Sequence, residues 1–267
     1  MKKLFGAVAS LALVVLLVLP ANAQSSKATI ILMHGIPGTD VDVEAGGANV
    51  FSGFKFGEMK DLSSLAGQTL KGLKVKAAGT STVAIDAGDV ALPASGNYTV
   101  VAHLDAAGKP KLTVFNNDIS ATATGKGRLI VRHTAFAPAV DVKANGAVAF
   151  ANLTNPNEAK VDLAVGTVKA EVVPAGASTP VVIGPADLAI KDGTALIVYA
   201  VGSLSGNTLQ VLTQSITGIG TTPRVVNTGN SPVRDGNSSG LLLPVGMVAL
   251  LSLVTAGGAR AVRRSRA

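Results

Sequence analysis

The stretch Leu129–His133 reads LIVRH, and it is followed at Val140–Val142 by the tripeptide VDV. An equivalent arrangement stands 99 residues earlier, where Ile30–His34 reads IILMH and Val41–Val43 again reads VDV. The same offset relates two further pairs of positions, Gly47 with Gly146 and Phe51 with Phe150. Because all of these positions are related by the same offset of 99 residues, they indicate an internal duplication.

Each copy of the duplicated sequence predicts an all-β module. Its apolar runs are short, rich in Val, Ile and Thr, and interrupted about every 8 to 12 residues by turns that contain Gly, Pro or Asn. This pattern is typical of antiparallel β-sandwiches of Ig-like or barrel-like form, so we expect one module over 28–125 and a second over 126–220. Helical spacing occurs only at Glu58–Leu70, for which we expect one short helix at most. Because each module should bury its own core, the fragments 26–125 and 126–222 should fold separately.

Both ends of the chain carry signals of export and anchoring. Residues 1–23 combine two lysines, an apolar run and the small-residue site ANA, which is the pattern of a secretory signal peptide. Residues 240–258 carry no charge and, as a helix of about 1.5 Å rise per residue, would just span the hydrocarbon core of a bilayer. The arginines of 259–267 would then hold the C-terminus in the cytoplasm. A processed sorting signal is the alternative to a permanent anchor, and 221–239 is expected to be a flexible tether.

Charge and composition narrow the function. The chain has 23 Lys and Arg against 16 Asp and Glu, but residues 24–239 hold 17 basic and 16 acidic side chains. The basic excess therefore lies at the two ends and indicates membrane topology, which leaves no basic patch for nucleic acid. The chain has no cysteine, and this excludes disulfides, thiolate metal sites and cysteine nucleophiles.

The second copy carries a recognisable series of residues. His133 is followed by the pair Ala137–Pro138, by VDV at Val140–Val142 and by a Gly turn. This series resembles the signature of a bacterial and archaeal extracellular family, the domain of unknown function 4397. The first copy keeps His34 and the VDV step but lacks the Ala-Pro pair, and Tyr98–Ala102, YTVVA, is similar to a late strand of that family. The resemblance implies two tandem copies of a secreted β-domain, and it implies no known activity.

Two segments look like hydrolase motifs but lack the necessary context. His34–Gly38, HGIPG, resembles the loop that supplies the oxyanion hole of lipases, and Gly236–Gly240, GNSSG, fits the nucleophile pattern. A nucleophile elbow requires a preceding strand, a following helix and a histidine further along the chain. The last histidine is His133, and Gly236–Gly240 falls at the end of the expected tether. We therefore predict no enzyme, no catalytic residue and no bound cofactor.

Three acidic residues form a candidate metal site. Asp40, Asp42 and Glu44 alternate along the chain and would project from one face of a strand, and carboxylate oxygens are the ligands that Ca²⁺ prefers. The second copy has Ala139 and Lys143 in place of Asp40 and Glu44, and the spacing is not that of a calcium-binding loop. The favoured interpretation is therefore a solvated polar face, with a weak calcium site as the alternative.

His34 and His133 end the two apolar runs. Each shares the period-two face of the apolar residues before it, so we expect both imidazoles to be buried, neutral and hydrogen-bonded to loop backbone, with a metal ligand or an exposed site as alternatives. Burial without an acidic partner lowers the pKa of an imidazole. Asp42 and Asp141 are flanked by inward valines and should lie on the opposite face. We therefore assign structural roles to all four residues.

These features favour a secreted, membrane-tethered structural or interaction module of the cell envelope, with its ectodomain outside the cell membrane or in the cell wall. Its expected partners are the membrane, through the C-terminal helix, and a cell-wall polymer or an envelope protein. The alternative is a ligand-binding or sensory ectodomain with a calcium or glycan site near the Asp40 loop. Glycan binding usually requires exposed aromatic rings, but we expect Phe51, Phe54 and Phe56 to fill the core.

Overall fold

The computed structural model describes residues 27–220. The predicted signal peptide 1–23, tether 221–239, membrane helix 240–258 and basic tail 259–267 lie outside the described residues. Within the described part of the chain, no helix is long and apolar enough to cross a membrane.

The described residues form sixteen β-strands and one turn of 3₁₀-helix, which confirms the predicted all-β fold. The first eight strands are β1 Thr29–His34, β2 Val41–Ala45, β3 Ala48–Phe54, β4 Met59–Asp61, β5 Thr69–Ala77, β6 Val83–Ala91, β7 Asn97–Leu104 and β8 Pro110–Asn116. The other eight are β9 Lys126–His133, β10 Val140–Ala144, β11 Ala147–Leu153, β12 Glu158–Ala164, β13 Gly166–Pro174, β14 Ile183–Ile190, β15 Thr194–Val201 and β16 Gln210–Thr217. Below, strands β1–β8 are the first half and strands β9–β16 are the second half.

The segment with helical spacing forms no α-helix. Within it lie β4 and a 3₁₀ turn at Ser63–Leu65. The Asp61 carboxylate accepts the Ser63 backbone N–H at 2.7 Å, and the Ser63 hydroxyl oxygen accepts the N–H of Ile30 at 3.0 Å. These polar contacts hold the turn that follows β4. The apolar residues of the segment have helical spacing because they pack onto the core, and they do not form a helix.

Strand order is the same in the two halves. The first half has sheets in the orders β4-β1-β7-β8 and β3-β2-β5-β6, and the second half has the orders β12-β9-β15-β16 and β11-β10-β13-β14. Most neighbours are antiparallel, but β1 pairs with β7 and β9 pairs with β15 in parallel. Each half therefore contains two four-stranded sheets that correspond strand by strand.

Each half has a core between its two sheets. In the first half Ile30 and Leu32 of β1 pack with Val100 of β7 against Val43 and Val75 of the other sheet. The second half repeats this arrangement with a cluster whose central members are Leu129, Val131, Val142, Val172 and Val198. Many of the buried side chains in both cores are β-branched, and such side chains fit the pleated surface of a sheet.

A third core joins the two halves. Met33 and Val101, which alternate with the residues of the first core, pack together with Ile130, Ile197 and Tyr199. The two central sheets therefore lie back to back, and the four sheets form one stack. Period-two alternation predicts one buried face for each strand, but all eight positions of β15 are buried. The central strands are covered on both faces, which the sequence analysis did not predict.

Candidate functional site

The two signature histidines are buried and bonded to the loop that follows them. The Nε2 atom of His34 lies 2.8 Å from the Thr39 carbonyl oxygen, and that of His133 lies 2.9 Å from the Pro138 carbonyl oxygen. Since a carbonyl only accepts, Nε2 carries the proton in both rings and Nδ1 is left with a lone pair. Burial lowers the pKa of both imidazoles, so both are neutral near pH 7. Each histidine anchors a loop.

The aspartates of the two VDV steps hold backbone rather than metal. Asp42 accepts the N–H groups of Gly53 at 2.8 Å and Gly79 at 2.9 Å, one on each carboxylate oxygen. Asp141 accepts those of Asn152 at 2.7 Å and Gly176 at 2.9 Å. These bonds lower the pKa of both carboxyls. Each aspartate therefore binds the two strands that flank its own. It holds an irregular point within one of these strands and the turn that follows the other strand.

The acidic alternation does not form a solvated face or a metal cluster. Asp42 is buried, Glu44 forms an ion pair with Lys76, and Asp40 is exposed in the loop before β2 rather than in the strand. Across residues 27–220 no group of three or more His, Asp or Glu side chains could hold a metal ion. The expectation that Asp40, Asp42 and Glu44 project together from one strand was wrong, because the strand begins one residue after Asp40.

The phenylalanines near the Asp40 loop are mostly covered. Phe54 is buried and Phe51 is partly buried against the first core. Phe56 is half-buried against the third core, and its ring stands edge-on to the His34 ring. One side of Phe56 also lines an open depression together with Asp40, Thr39, Gly38 and Ala78. This depression is the one place in the Asp40 region where an aromatic ring and an acidic group meet the surface.

A buried arginine lies at the contact between the halves. Arg132 is 0% exposed, and its guanidinium lies 4.3 Å from the ring centre of Phe115, a residue of the first half. Its Nη2 donates to the Asn117 side-chain oxygen at 2.9 Å, Nη1 to the Tyr199 hydroxyl at 2.8 Å, and Nε to the Glu158 carboxylate at 2.7 Å. Every nitrogen of this buried cation therefore has a partner, and the partners come from both halves.

The network continues from Tyr199 into the first half. The Tyr199 hydroxyl donates to the Gln214 side-chain oxygen at 2.7 Å, and the Thr99 hydroxyl donates to the same oxygen at 2.9 Å. A second link is Asn155, whose side-chain nitrogen donates to the Leu104 carbonyl at 2.8 Å. Sequence reasoning missed this network because alternation predicts only one buried face for β9, the face of His133, and Arg132 lies on the other. The available signal was Ile130, a large apolar residue on the same face of the strand as Arg132. Isoleucine is most often buried, so its presence there favours a covered face.

Apolar cavities differ between the halves. The first half holds a cavity of about 260 Å³ between its sheets, and the corresponding cavity in the second half measures about 30 Å³. A third, apolar cavity of about 60 Å³ lies beside His133, whose Nδ1 has no hydrogen-bond partner among the described residues. Protein interiors usually contain few voids larger than a water molecule, so the cavity of the first half is the unusual one.

Comparison with known sequences supports the resemblance drawn from the signature. A search of curated proteins finds no match. The model of the family described as Domain of unknown function (DUF4397) matches residues 28–143, a range that covers the first half and continues through β9 into β10. Residues 28–143 are thus similar to this family, in agreement with the resemblance drawn from the signature.

Proposed function

We propose that this chain is a non-catalytic module of the cell envelope, exported, tethered to the membrane through 240–258, and presented to its surroundings as one stiff body. The observation that carries the proposal is the fully buried Arg132 between the halves. Two independent modules on a string would leave the facing sheets solvated. Here an apolar core and a polar network join them, and every nitrogen of Arg132 has a partner in that network. Such a contact is suited to a spacer or a docking platform that holds a fixed shape.

The polar network also argues for a specific rather than a general contact. A buried guanidinium is strongly destabilising when it is unpaired. Glu158 and Tyr199, which belong to the same half as Arg132, bind two of its nitrogens, so the packing of the halves must bring Asn117, which follows β8, to the third. In the first half the positions that correspond to Arg132 and Tyr199 are Met33 and Val101. The two contact faces are therefore complementary rather than identical, and each half suits the other and not a copy of itself.

The location in this proposal is supported by the sequence at both ends and by the nearly neutral 24–239 segment. Its test is protease treatment of intact cells that lack an outer barrier and carry a tag at the C-terminus. We expect one released fragment that contains both halves, and a short tagged stub in the membrane. Release of the whole chain by a salt wash alone would overturn the tether.

The rigidity in this proposal is tested in the same cells with Arg132→Ala. We expect limited protease to cut the variant between the halves, near 118–125, while the natural chain is released as a single fragment. Lys160→Ala is the matched control, because it removes an exposed cation that pairs with Asp118. Equal cleavage between the halves in the natural chain and in Arg132→Ala would show that the contact does not hold the halves together.

A second candidate function is a glycan site at the Asp40 loop. The observation that favours it is the open depression in which Asp40 and Phe56 meet. Cell-wall glycan should then raise the melting temperature of the natural chain but not of Asp40→Asn. A melting temperature that the glycan does not change would reject this candidate and leave the structural proposal untouched.

A further inference from the structure

The cavity of the first half is lined by aliphatic side chains from both sheets. No lining residue is polar or aromatic among the thirteen that surround it: Leu32, Val43, Val50, Leu62, Leu70, Leu73, Val75, Ala87, Val90, Leu92, Val100, Leu112 and Val114. The side chains of these walls offer no hydrogen bonds, and cavities with apolar walls remain dry. Water is therefore an unsuitable occupant of the roughly 260 Å³ of space.

The cavity reaches the surface between two edge strands. Strand β8 ends one sheet of the first half and β6 ends the other. Val114 of β8 lines the cavity and is 50% exposed, which is unusual for a valine next to a core. Val90 of β6 also lines the cavity and is only partly buried. A ligand can enter at this edge without unfolding either sheet.

The hairpin of β5 and β6 accounts for the larger size of the cavity in the first half. Its register shifts at three places, between Leu70 and Lys76, whereas the corresponding hairpin of β13 and β14 shifts once. Gly72 and Gly88 adopt the left-handed backbone, with φ of 54° and 62°. Asp89 holds this irregularity by accepting the Gly72 N–H at 2.9 Å. Bulges bend a strand and interrupt its pairing. In this hairpin the remaining strand pairs and the Asp89 hydrogen bond hold the bent part of the cavity wall in place.

We infer that the first half binds a single unbranched aliphatic chain in this cavity. The walls recognise the chain by shape and by the hydrophobic effect, and any polar end group remains in water beside Val114. A dry cavity of about 150 Å³ accommodates a six-carbon ring, so the present cavity suits a chain of roughly eight to ten carbons. Such a chain is found in free fatty acids and in the acyl groups of membrane lipids, and the recognised chemistry is the same in both.

Photo-crosslinking of the full chain in its own membranes tests this inference. One probe is decanoic acid with a diazirine near the end of its chain, and a second is a phosphatidylcholine that carries the same acyl group. We expect labelled peptides to contain the lining residues of β5–β8. Labelling by the free acid alone identifies a soluble ligand, and labelling by the phospholipid identifies a lipid acyl chain. Absence of label from β1–β8 with both probes would overturn the inference.

Variants give the labelling a matched control. Ala87→Phe places a ring in the cavity and should abolish the label, whereas Val148→Phe adds the same ring at an exposed site of β11 and should leave it unchanged. Val114→Thr introduces at the rim the residue type that the second half has at Thr213, and it should weaken the label without disturbing the core. Equal labelling of the natural chain and of both cavity variants, with each shown to resist protease, would contradict binding in the cavity.

Discussion

The two halves have the same strand order but differ in how well the space between their sheets is filled. The second half has cavities of about 30 and 60 Å³, and the first half has one of about 260 Å³. Corresponding positions such as Val43 and Val142 are occupied by the same residue type, so the difference in cavity volume does not come from the core residues alone. It accompanies the irregular β5–β6 hairpin. Duplication therefore preserves topology, while local backbone geometry decides whether a sandwich is solid or hollow.

The contact between the halves should give the largest effect on stability. Arg132→Ala removes a buried cation and takes one hydrogen-bond partner from each of Asn117, Tyr199 and Glu158, so we expect the free energy of unfolding to fall by about 3 kcal/mol. Denaturation in urea measures the loss, and the transition should separate into two steps as the halves uncouple. Lys160→Ala should change stability by less than about 1 kcal/mol, because Lys160 is exposed and Asp118 keeps its ion pair with Arg128. An Arg132→Ala variant as stable as this control would contradict the role of the network.

A glycine in the second half should be less tolerant than its counterpart in the first. Gly127 corresponds to Ala28, which is buried without conflict. A Cβ at Gly127 would lie 2.3 Å from the Lys191 carbonyl oxygen, and because this neighbour is backbone it cannot swing away. Gly127→Ala should therefore lower stability by about 2 kcal/mol. Ala28→Gly creates no clash and is the matched comparison, and a smaller loss from Gly127→Ala than from Ala28→Gly would show that the close approach is not limiting.

The hollow and the solid core should respond differently to the same added methylene. Val142→Leu enlarges a side chain that is 3% exposed beside the small cavity, and it should cost about 1 to 2 kcal/mol by overpacking. Val43→Leu makes the equivalent change beside the large cavity, and filling empty space there should be neutral or stabilising by up to about 1 kcal/mol. Melting curves of the two variants provide the test. Equal destabilisation by both would mean that the first cavity cannot take up a side chain.

The two signature histidines should give the smallest effect, and it depends on pH. Burial lowers the pKa of both rings below 6.5, and Asp40 and Glu58 partly oppose this at His34, whereas only backbone contacts do so at His133. Protonation therefore favours the unfolded chain, so this contribution to stability is fully present above pH 6.5 and is lost as pH falls through the lowered pKa values. NMR titration should place His133 below His34. Asp40→Asn should lower the pKa of His34 and leave that of His133 unchanged, and a value above 6.5 for either ring would contradict the buried neutral form.

Much of the fold was accessible from the sequence because alternation and turn spacing are local. The period of two places His34 and His133 on the face of their apolar neighbours, and the structure buries both rings there. Alternation predicts one buried face of a strand and gives no information about what covers the opposite face. Arg132 lies on that opposite face of β9, so its burial was not predicted. The cavity was also beyond sequence reasoning. It depends on register shifts near Gly72 and Gly88 that leave the hydrophobic pattern of β5 and β6 unremarkable.

The parallel pairing at the centre of each half has a consequence for the order of folding. Ile30 lies opposite Tyr98, and Ile130 lies opposite Ile197. The central strand pair of each half therefore joins two segments that are far apart in the sequence of that half. Closing long loops before any contact forms slows folding, and chains of high contact order fold slowly. The outer hairpins, whose strands are adjacent in the chain, can form first. During synthesis β1 must wait for β7, and the back-to-back core must wait for β15, so the stack is completed only after fifteen of the sixteen described strands have been made.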